Sequence, residues 1–354
     1  MTTNVLVTGA TGFIGGSVLA QILSAENPKA KDVAVTALVR EKQQAAILAA
    51  KGVNAMLFNG LDDTAHLRTI ASEFDIVIHC ATGLHTTSAE ALILGLGDSM
   101  KRSGRQTHYI HTTGTSNLAY SIISHPDAPV STFADTDDVY EEEVRRDAQQ
   151  LYHQRRTDLV VIATAEQTGV KPYLMMPPTV YGEGLGLFKT QSIQLPFVIG
   201  RAIEAGYPEY IGDGSGTVGF VHISDLAMLY VLLLNRVLDV DKGVDVDVPS
   251  GRKGYYFSNT GDFTWKSLSY KIGEVGLRLG ALTSSLPKSI TLSEAVQRWN
   301  FRGFDGLLIE TNFAGRSKTS PKKAYSLGWQ PVKEEEDWNR EIENTWKAIL
   351  ARAR

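Results

Sequence analysis

The stretch Asn4-Val5-Leu6-Val7-Thr8-Gly9-Ala10-Thr11-Gly12-Phe13-Ile14-Gly15 decides the fold of this 354-residue chain. An apolar run of strand length gives way to three glycines spaced G-x-x-G-x-x-G. Ile14, Val18, Leu19, Ile22 and Leu23 then recur at helical spacing. Gly9 lets the chain turn sharply out of the strand. Gly12 removes a side chain where backbone must approach a ligand, and Gly15 lets helix and strand pack closely. The free N–H groups and positive dipole end of the new helix form an anion site suited to a pyrophosphate. A glycine triplet alone is weak; the strand before it and the helix behind it make the reading specific.

Working outward, strands read at 33–39, 54–58, 75–79, 107–112 and 172–176. Helices fall between them at 42–50, 64–71 and 89–102. One long helix carries Tyr140, Val144, Ala148, Leu151, Tyr152, Leu159 and Ile162 on its apolar stripe. This alternation predicts an α/β fold with a doubly wound parallel sheet of the Rossmann kind, its ligand beyond the carboxyl ends of the strands. Residues 1–176 form the dinucleotide-binding domain, completed by parts of 218–260. From Pro177 the pattern breaks into Gly-rich segments, a helix at 196–205 and a turn at 212–216. A helix at 222–238, capped by Ser224 or Asp225, and a charged helix at 334–351 follow. Residues 177–354 are expected to be a smaller, mixed substrate-binding domain.

The balance of 35 basic against 39 acidic residues, net −4, leaves no footprint for nucleic acid or an anionic membrane. The single cysteine, Cys80, excludes an internal disulfide and fits a reducing compartment. The first strand begins at once, without a signal peptide, and the best apolar run, 226–234, is too short to span a membrane. A cytoplasmic protein is the expectation. His108 and His111, three apart in a strand, face opposite sides, and no other histidine clusters with acids or Cys80, so no metal is expected. Glu141–Glu143 and Arg145–Arg146 read as a solvated helix face, and His222 as a structural residue at a helix start.

Several segments resemble, in order, the extended short-chain dehydrogenases/reductases of the NAD-dependent epimerase/dehydratase type. Thr8–Gly15 is similar to the fingerprint T-G-A-T-G-F-I-G, and Ile78-His79-Cys80-Ala81-Thr82 to the end of the fourth strand, V-I-H-x-A. His111-Thr112-Thr113-Gly114-Thr115 resembles the fifth-strand end that carries a catalytic hydroxyl. Pro177-Pro178-Thr179-Val180-Tyr181-Gly182 resembles R-P-x-x-V-Y-G, and Phe220–Ala227 resembles F-V-H-V-x-D-L-A. The resemblance implies a nicotinamide dinucleotide held by Gly9, Thr11, Gly12, Phe13, Ile14, Gly15, Ala81, Pro177 and Thr179. The second strand ends Ala37-Leu38-Val39-Arg40, with Lys42 close behind and no acid before Glu41. A guanidinium suits a 2′-phosphate, which favours NADP over NAD, although Arg40 also reads as a solvated strand-end charge. Asp62 resembles the family's adenine-contacting Asp, or caps the helix that follows.

The family's Tyr-x-x-x-Lys pair is matched best by Tyr152 with Arg156, in an atypical form of the centre. Arginine brings charge but another shape, and Tyr152 reads equally as a core tyrosine on the apolar stripe. Thr113 or Thr115 would supply the partner hydroxyl. Where nucleotide-sugar enzymes of the family carry a diphosphate-gripping arginine, this chain has Val218. Leu185, Leu187, Phe188, Phe197, Tyr207 and Tyr210 suggest an apolar pocket lining, or plain core of the smaller domain. The readings are an NADP-dependent oxidoreductase of a small apolar carbonyl or alcohol, a non-catalytic dinucleotide-binding sensor, and an isomerase or lyase on the same fold. A small-molecule substrate is the expected partner, and a homodimer is left open.

Overall fold

A computed structural model describes residues 2–352. Strand β1 (Thr3–Thr8), helix α1 (Phe13–Ile22), β2 (Val33–Val39), α2 (Lys42–Ala49) and β3 (Asn54–Leu57) form the first winding. Helix α3 (Thr64–Ala71), β4 (Ile76–His79), α4 (Thr86–Ser103) and β5 (His108–Thr112) form the second. Seven strands make one sheet in the order Tyr255–Phe257, Lys171–Met176, β5, β4, β1, β2, β3, every pair parallel. The winding reverses between β1 and β4, so the crevice at their carboxyl ends is the natural ligand position. Leu6, Val77 and Tyr109 are fully buried on one face with α3 and α4; Val5, Val7, Ile78 and Ile110 pack on the other with α1. Near-continuous apolar runs are what a sheet covered on both faces requires.

The chain returns to this sheet after leaving it. Helix Ile223–Asp241 packs Leu226, Leu229 and Leu233 into the core that holds Val18 and Ile22 of α1, and strand Tyr255–Phe257 adds the outer edge. Neither Ser224 nor Asp225 caps that helix: the His222 Nδ1 accepts the Ser224 N–H at 3.1 Å. Asp225, buried, accepts instead from the Val332 and Lys333 amides and ties down the approach to the last helix.

A second layer is built on a three-stranded sheet of Gly261–Thr264, Thr217–His222 and Thr179–Tyr181, with helices Gln194–Ala205, Trp265–Arg278 and Glu335–Arg352. Its core is aromatic: Trp338 stacks on Phe220 with centroids 5.0 Å apart, and Tyr181 meets it edge-on at 5.1 Å.

The long helix expected around Tyr152 is two helices, α5 (Val139–Gln149) and α6 (His153–Thr168). Gln150 and Tyr152 take extended backbone between them. Breaking a helix frees carbonyls, which must find donors. Arg155, buried, supplies them: its guanidinium donates to the Gln150 and Asn117 carbonyls, each at 2.8 Å.

Candidate active site

One wall of the cleft is backbone. Gly9 has φ +70°, and a Cβ there would stand 2.5 Å from the Cys80 carbonyl oxygen. A Cβ on Gly15 would stand 2.3 Å from the Gly9 oxygen. The Gly12 N–H closes the turn on the Gly9 carbonyl at 2.8 Å, and Gly12 caps α1 without a side chain. The first amides of α1 therefore stay free for an anion, a cradle that any larger residue would fill. This fits a dinucleotide pyrophosphate. A segment of the second layer lies across it: the Leu185 N–H donates to Ser17 Oγ at 3.0 Å and the Lys189 N–H to the Thr11 carbonyl at 3.4 Å.

Arg40 stands exposed just past β2. Asp62 does not cap α3; Asp63 does, accepting the His66 N–H at 3.3 Å. Asp62 is fully exposed and bonds His85 Nε2 at 3.0 Å, beside the N-terminus of α4. Ala81 is exposed at the end of β4.

Phe13 and Ile14 from the glycine turn, Thr113 and Thr115 after β5, Pro177, Thr179 and Tyr152 line one cavity of about 280 Å³. The Thr113 N–H donates to the Met175 carbonyl at 2.9 Å and the Thr115 N–H to Pro177 at 3.1 Å, which sets both residues at the strand ends. Gln154 joins them, accepting from Ser116 Oγ at 3.0 Å and packed so near Gly83 and Gly114 that a Cβ on either would crowd its amide.

Tyr152 is 3% exposed, and its hydroxyl accepts from the Asn312 amide at 3.4 Å. Arg156 is one turn on, its N–H bonded to the Tyr152 carbonyl at 2.9 Å. The structure does not bring the two side chains together. The Arg156 guanidinium is half-exposed and pairs with Asp147 at 2.6 Å, outside the cavity. Tyr152 sits at the cap, in extended backbone, so the rule that residues four apart share a helix face does not apply to it.

The Thr113 hydroxyl is bonded into a buried polar cluster. It donates to Asp158 Oδ2 at 2.7 Å; the Asn117 amide donates to the same oxygen at 2.7 Å and to Glu143 Oε1 at 2.9 Å; the Tyr255 hydroxyl donates to Glu143 Oε2 at 2.8 Å. Asp158 and Glu143 are wholly buried. Loss of solvent, then each other's charge, holds Asp158 well above the usual carboxyl range, and loss of solvent raises Glu143 as well. Glu143 and the buried Arg146 thus correct the expected solvated face of α5: its inner side carries charge into the core. Their place in the charged run Glu141–Arg146, interrupted only by the exposed Val144, hid this. His79 and His111 stack beside the cluster at 5.6 Å, and burial lowers both, His79 to about 4, so they are neutral imidazoles. No metal-binding group of three His, Cys, Asp or Glu occurs among the described residues.

The apolar side is another correction. Leu185 and Leu187 are exposed, Phe197 is packed among Trp299, Phe301 and Phe313, and Tyr207 and Tyr210 lie beneath Lys288 and Lys266. Phe188 packs against the main sheet core. The cavity is lined instead by Val218, Trp265, Phe301, Phe304 and Leu308, with Ile193. Residues 301–312 reach it from a distant part of the chain. Arg302, in the left-handed region at φ +54°, places one cation on the same wall.

The NAD dependent epimerase/dehydratase family matches residues 5–248 of this chain. The chain belongs to that family. Among its relatives, the Oxidase ucsJ of Acremonium sp is 27% identical over 347 residues, 94% of each chain. The dTDP-4-dehydro-6-deoxy-D-allose reductase of Streptomyces bikiniensis is 28% identical over 245 residues, covering 65% of this chain and 72% of that one. In structure, this epimerase/dehydratase chain is similar to DesIV, the dTDP-glucose 4,6-dehydratase of Streptomyces venezuelae with NAD bound, at TM-score 0.65 and 16% identity, covering 98% and 97% of the two chains. It is also similar to the yeast methylglyoxal/isovaleraldehyde reductase Gre2 with NADPH, at TM-score 0.61 and 12% identity over 99% of both. The family's fold is that of an oxidoreductase using a nicotinamide dinucleotide. No helix among the described residues is long and apolar enough to cross a membrane.

Proposed function

We propose that this protein is an NADP-dependent oxidoreductase acting on a small, largely apolar carbonyl compound or the matching alcohol. The observation that carries this reading is one cavity walled by the glycine turn, by hydroxyls and by aromatic side chains. The Gly9–Gly15 amides would hold the pyrophosphate and Arg40 the 2′-phosphate, with Asp62 and Ala81 along the adenosine half. The bound dinucleotide supplies or accepts the hydride. Tyr152, with Thr113 or Thr115, would meet the substrate oxygen as the acid–base group, and Trp265, Phe301 and Leu308 would hold its apolar part and exclude water. Reductases and an oxidase among the relatives support a redox reaction, and the aldehydes named for the yeast reductase set the substrate class to try first. Val218 cannot neutralise a diphosphate, which weighs against a nucleotide sugar. Arg156, turned away from Tyr152, favours the second reading, a dinucleotide-binding protein without turnover.

Fluorescence titration with NADPH and NADH, followed by turnover on aldehydes such as isovaleraldehyde, separates these. The expected result is tighter NADPH binding and measurable reduction, cut about a hundredfold in kcat/KM by Tyr152→Phe. Tight binding with no turnover on any aldehyde would favour the sensor, and no binding of either dinucleotide would end both readings.

A further inference from the structure

Two carboxyl groups that the reaction above leaves idle lie immediately behind its cleft. Asp158 on α6 and Glu143 on α5 are both fully buried, and one amide, that of Asn117, bridges them. Thr113 is the link to the cavity: it lines the cavity and its hydroxyl bonds Asp158 Oδ2 at 2.7 Å. We propose that Asp158 and Glu143 share one proton at neutral pH and exchange it with the cleft through the Thr113 hydroxyl, making the pair the proton store of the reaction.

The surroundings make a doubly ionised pair costly. Two like charges out of water cannot both persist unless cations match them. From α6, Arg155 lowers Glu143 through its charge, but its Nη1 and Nη2 go to the Asn117 and Gln150 carbonyls and its buried Nε bonds neither acid. From α5, Arg146 spends its Nε on Glu142 and its Nη1 on the Ala119 carbonyl, while Asp147 adds a further acid beside Arg156. From the edge strand, Tyr255 gives a neutral O–H to Glu143. From β4 and β5 come the neutral His79, His111 and Tyr109; the His111 Nε2 lies 3.5 Å from Asp158 Oδ1. Solvation loss accordingly raises both acids, and the charge of Glu143 raises Asp158 further.

The step rests on the oxidoreductase reading and balances as follows. The reduced dinucleotide, when bound, would supply the hydride to the carbonyl carbon and be oxidised in doing so, which leaves the C=O π pair on oxygen to be protonated by this chain. That oxygen takes the Thr113 proton. Thr113 regains one from Asp158 as the hydrogen bond between them reverses, and the acid pair is left with two charges. After product leaves, cleft water returns the proton along the same path. Asp158 and Glu143 act through Thr113, so they are positioning and storage residues rather than groups that touch substrate. On this path Thr113 is the proton donor of the Tyr152–Thr113 pair proposed above, and Tyr152 holds the same oxygen by its hydrogen bond.

The test is the pH profile of NADPH-dependent isovaleraldehyde reduction, read beside ¹³C NMR of the side-chain carboxyls in the whole protein. In the wild type, kcat/KM should fall as pH rises through the loss of the shared proton, and one carboxyl should stay protonated at pH 7. Glu143→Gln removes the neighbouring charge and should move that falling limb at least one unit toward acid. Asp158→Asn should erase the limb and lower kcat about a hundredfold, with NADPH affinity within twofold of wild type. Thr113→Val should match Asp158→Asn, and Thr113→Ser should restore activity. If Asp158→Asn does not fold, the Glu143 and Thr113 variants carry the test. Two ionised carboxylates at pH 7, or a falling limb unmoved by Glu143→Gln, would overturn the proposal. Absence of turnover with a shared proton still seen by NMR would sink the oxidoreductase reading while upholding the acid pair.

Discussion

The two sides of the cleft are built from different material. The side that receives the dinucleotide is main chain: three glycines, a sharp turn and the unfilled amides of α1 within a dozen consecutive residues. The side that faces the substrate is side chain, assembled from β5, the α5–α6 break, the Pro177–Val180 loop and residues 301–312. The first is rigid because any added atom collides with backbone. The second depends on buried charge and hydrogen bonds that several elements must supply together. Sites of the first kind fail all at once, and those of the second fail by degrees, with pH as a control.

The sharpest way to break the comparison is Gly15→Ala. Its Cβ would lie 2.3 Å from the Gly9 oxygen, so helix or strand must move. We expect a loss of about 3 kcal/mol in urea unfolding and at least a tenfold loss of dinucleotide affinity. Retention of both would mean the turn is not the tight backbone cradle described.

Arg40→Ala comes next. It should weaken NADPH binding about tenfold, in keeping with about 1.5–3 kcal/mol for a hydrogen bond to a charged group discounted for exposure, and leave NADH unchanged. Equal effects on both coenzymes would make Arg40 a solvated charge.

Smaller still is the pH dependence of stability. Groups with raised acid values hold protons in the folded state that the unfolded chain has lost, so stability falls as pH rises toward those values. His79 and His111, depressed by burial, act oppositely: the stability they allow is lost as pH falls below about 6.5, the ordinary imidazole value. Above that point the acid pair slopes first, and the Cys80 thiol, raised by burial to about 12, adds to the same decline as pH nears 9. Between pH 6.5 and 8 the wild-type melting temperature should fall, and Asp158→Asn should flatten the decline. The least effect is expected from Arg156→Ala, about 1 kcal/mol in stability, since the Arg156 guanidinium is half-exposed though its Asp147 partner is largely buried. Its kcat/KM should stay within threefold of wild type; a large loss would restore Arg156 to the site.

The same contrast explains what could be read in advance. Strand β2 and helix α3 fall where periodicity places them, because sheet and helix patterns are local. The glycine turn was legible because its spacing is itself the geometry. Asp62 and Asp63 were not separable as caps, since either fits one residue from the helix start. Tyr152 continues the apolar stripe, so nothing local marks the break at Gln150; the carbonyl-binding Arg155 is the only trace, and it reads as one more charge. Glu143 sits inside an acidic run whose exposed members conceal it. The true aromatic lining, Trp265, Phe301 and Phe304, lies well beyond the 185–210 stretch that composition favoured.

By itself the sequence determined the parallel doubly wound sheet, the phosphate-binding turn and membership of the epimerase/dehydratase family, because these follow from period, glycine placement and short contiguous motifs. Only tertiary structure decided which hydroxyls share the cavity, that Arg156 leaves it, and that two acids meet behind Thr113. Those are contacts between residues far apart in the chain, and burial alone converts ordinary carboxyls into a group that holds a proton.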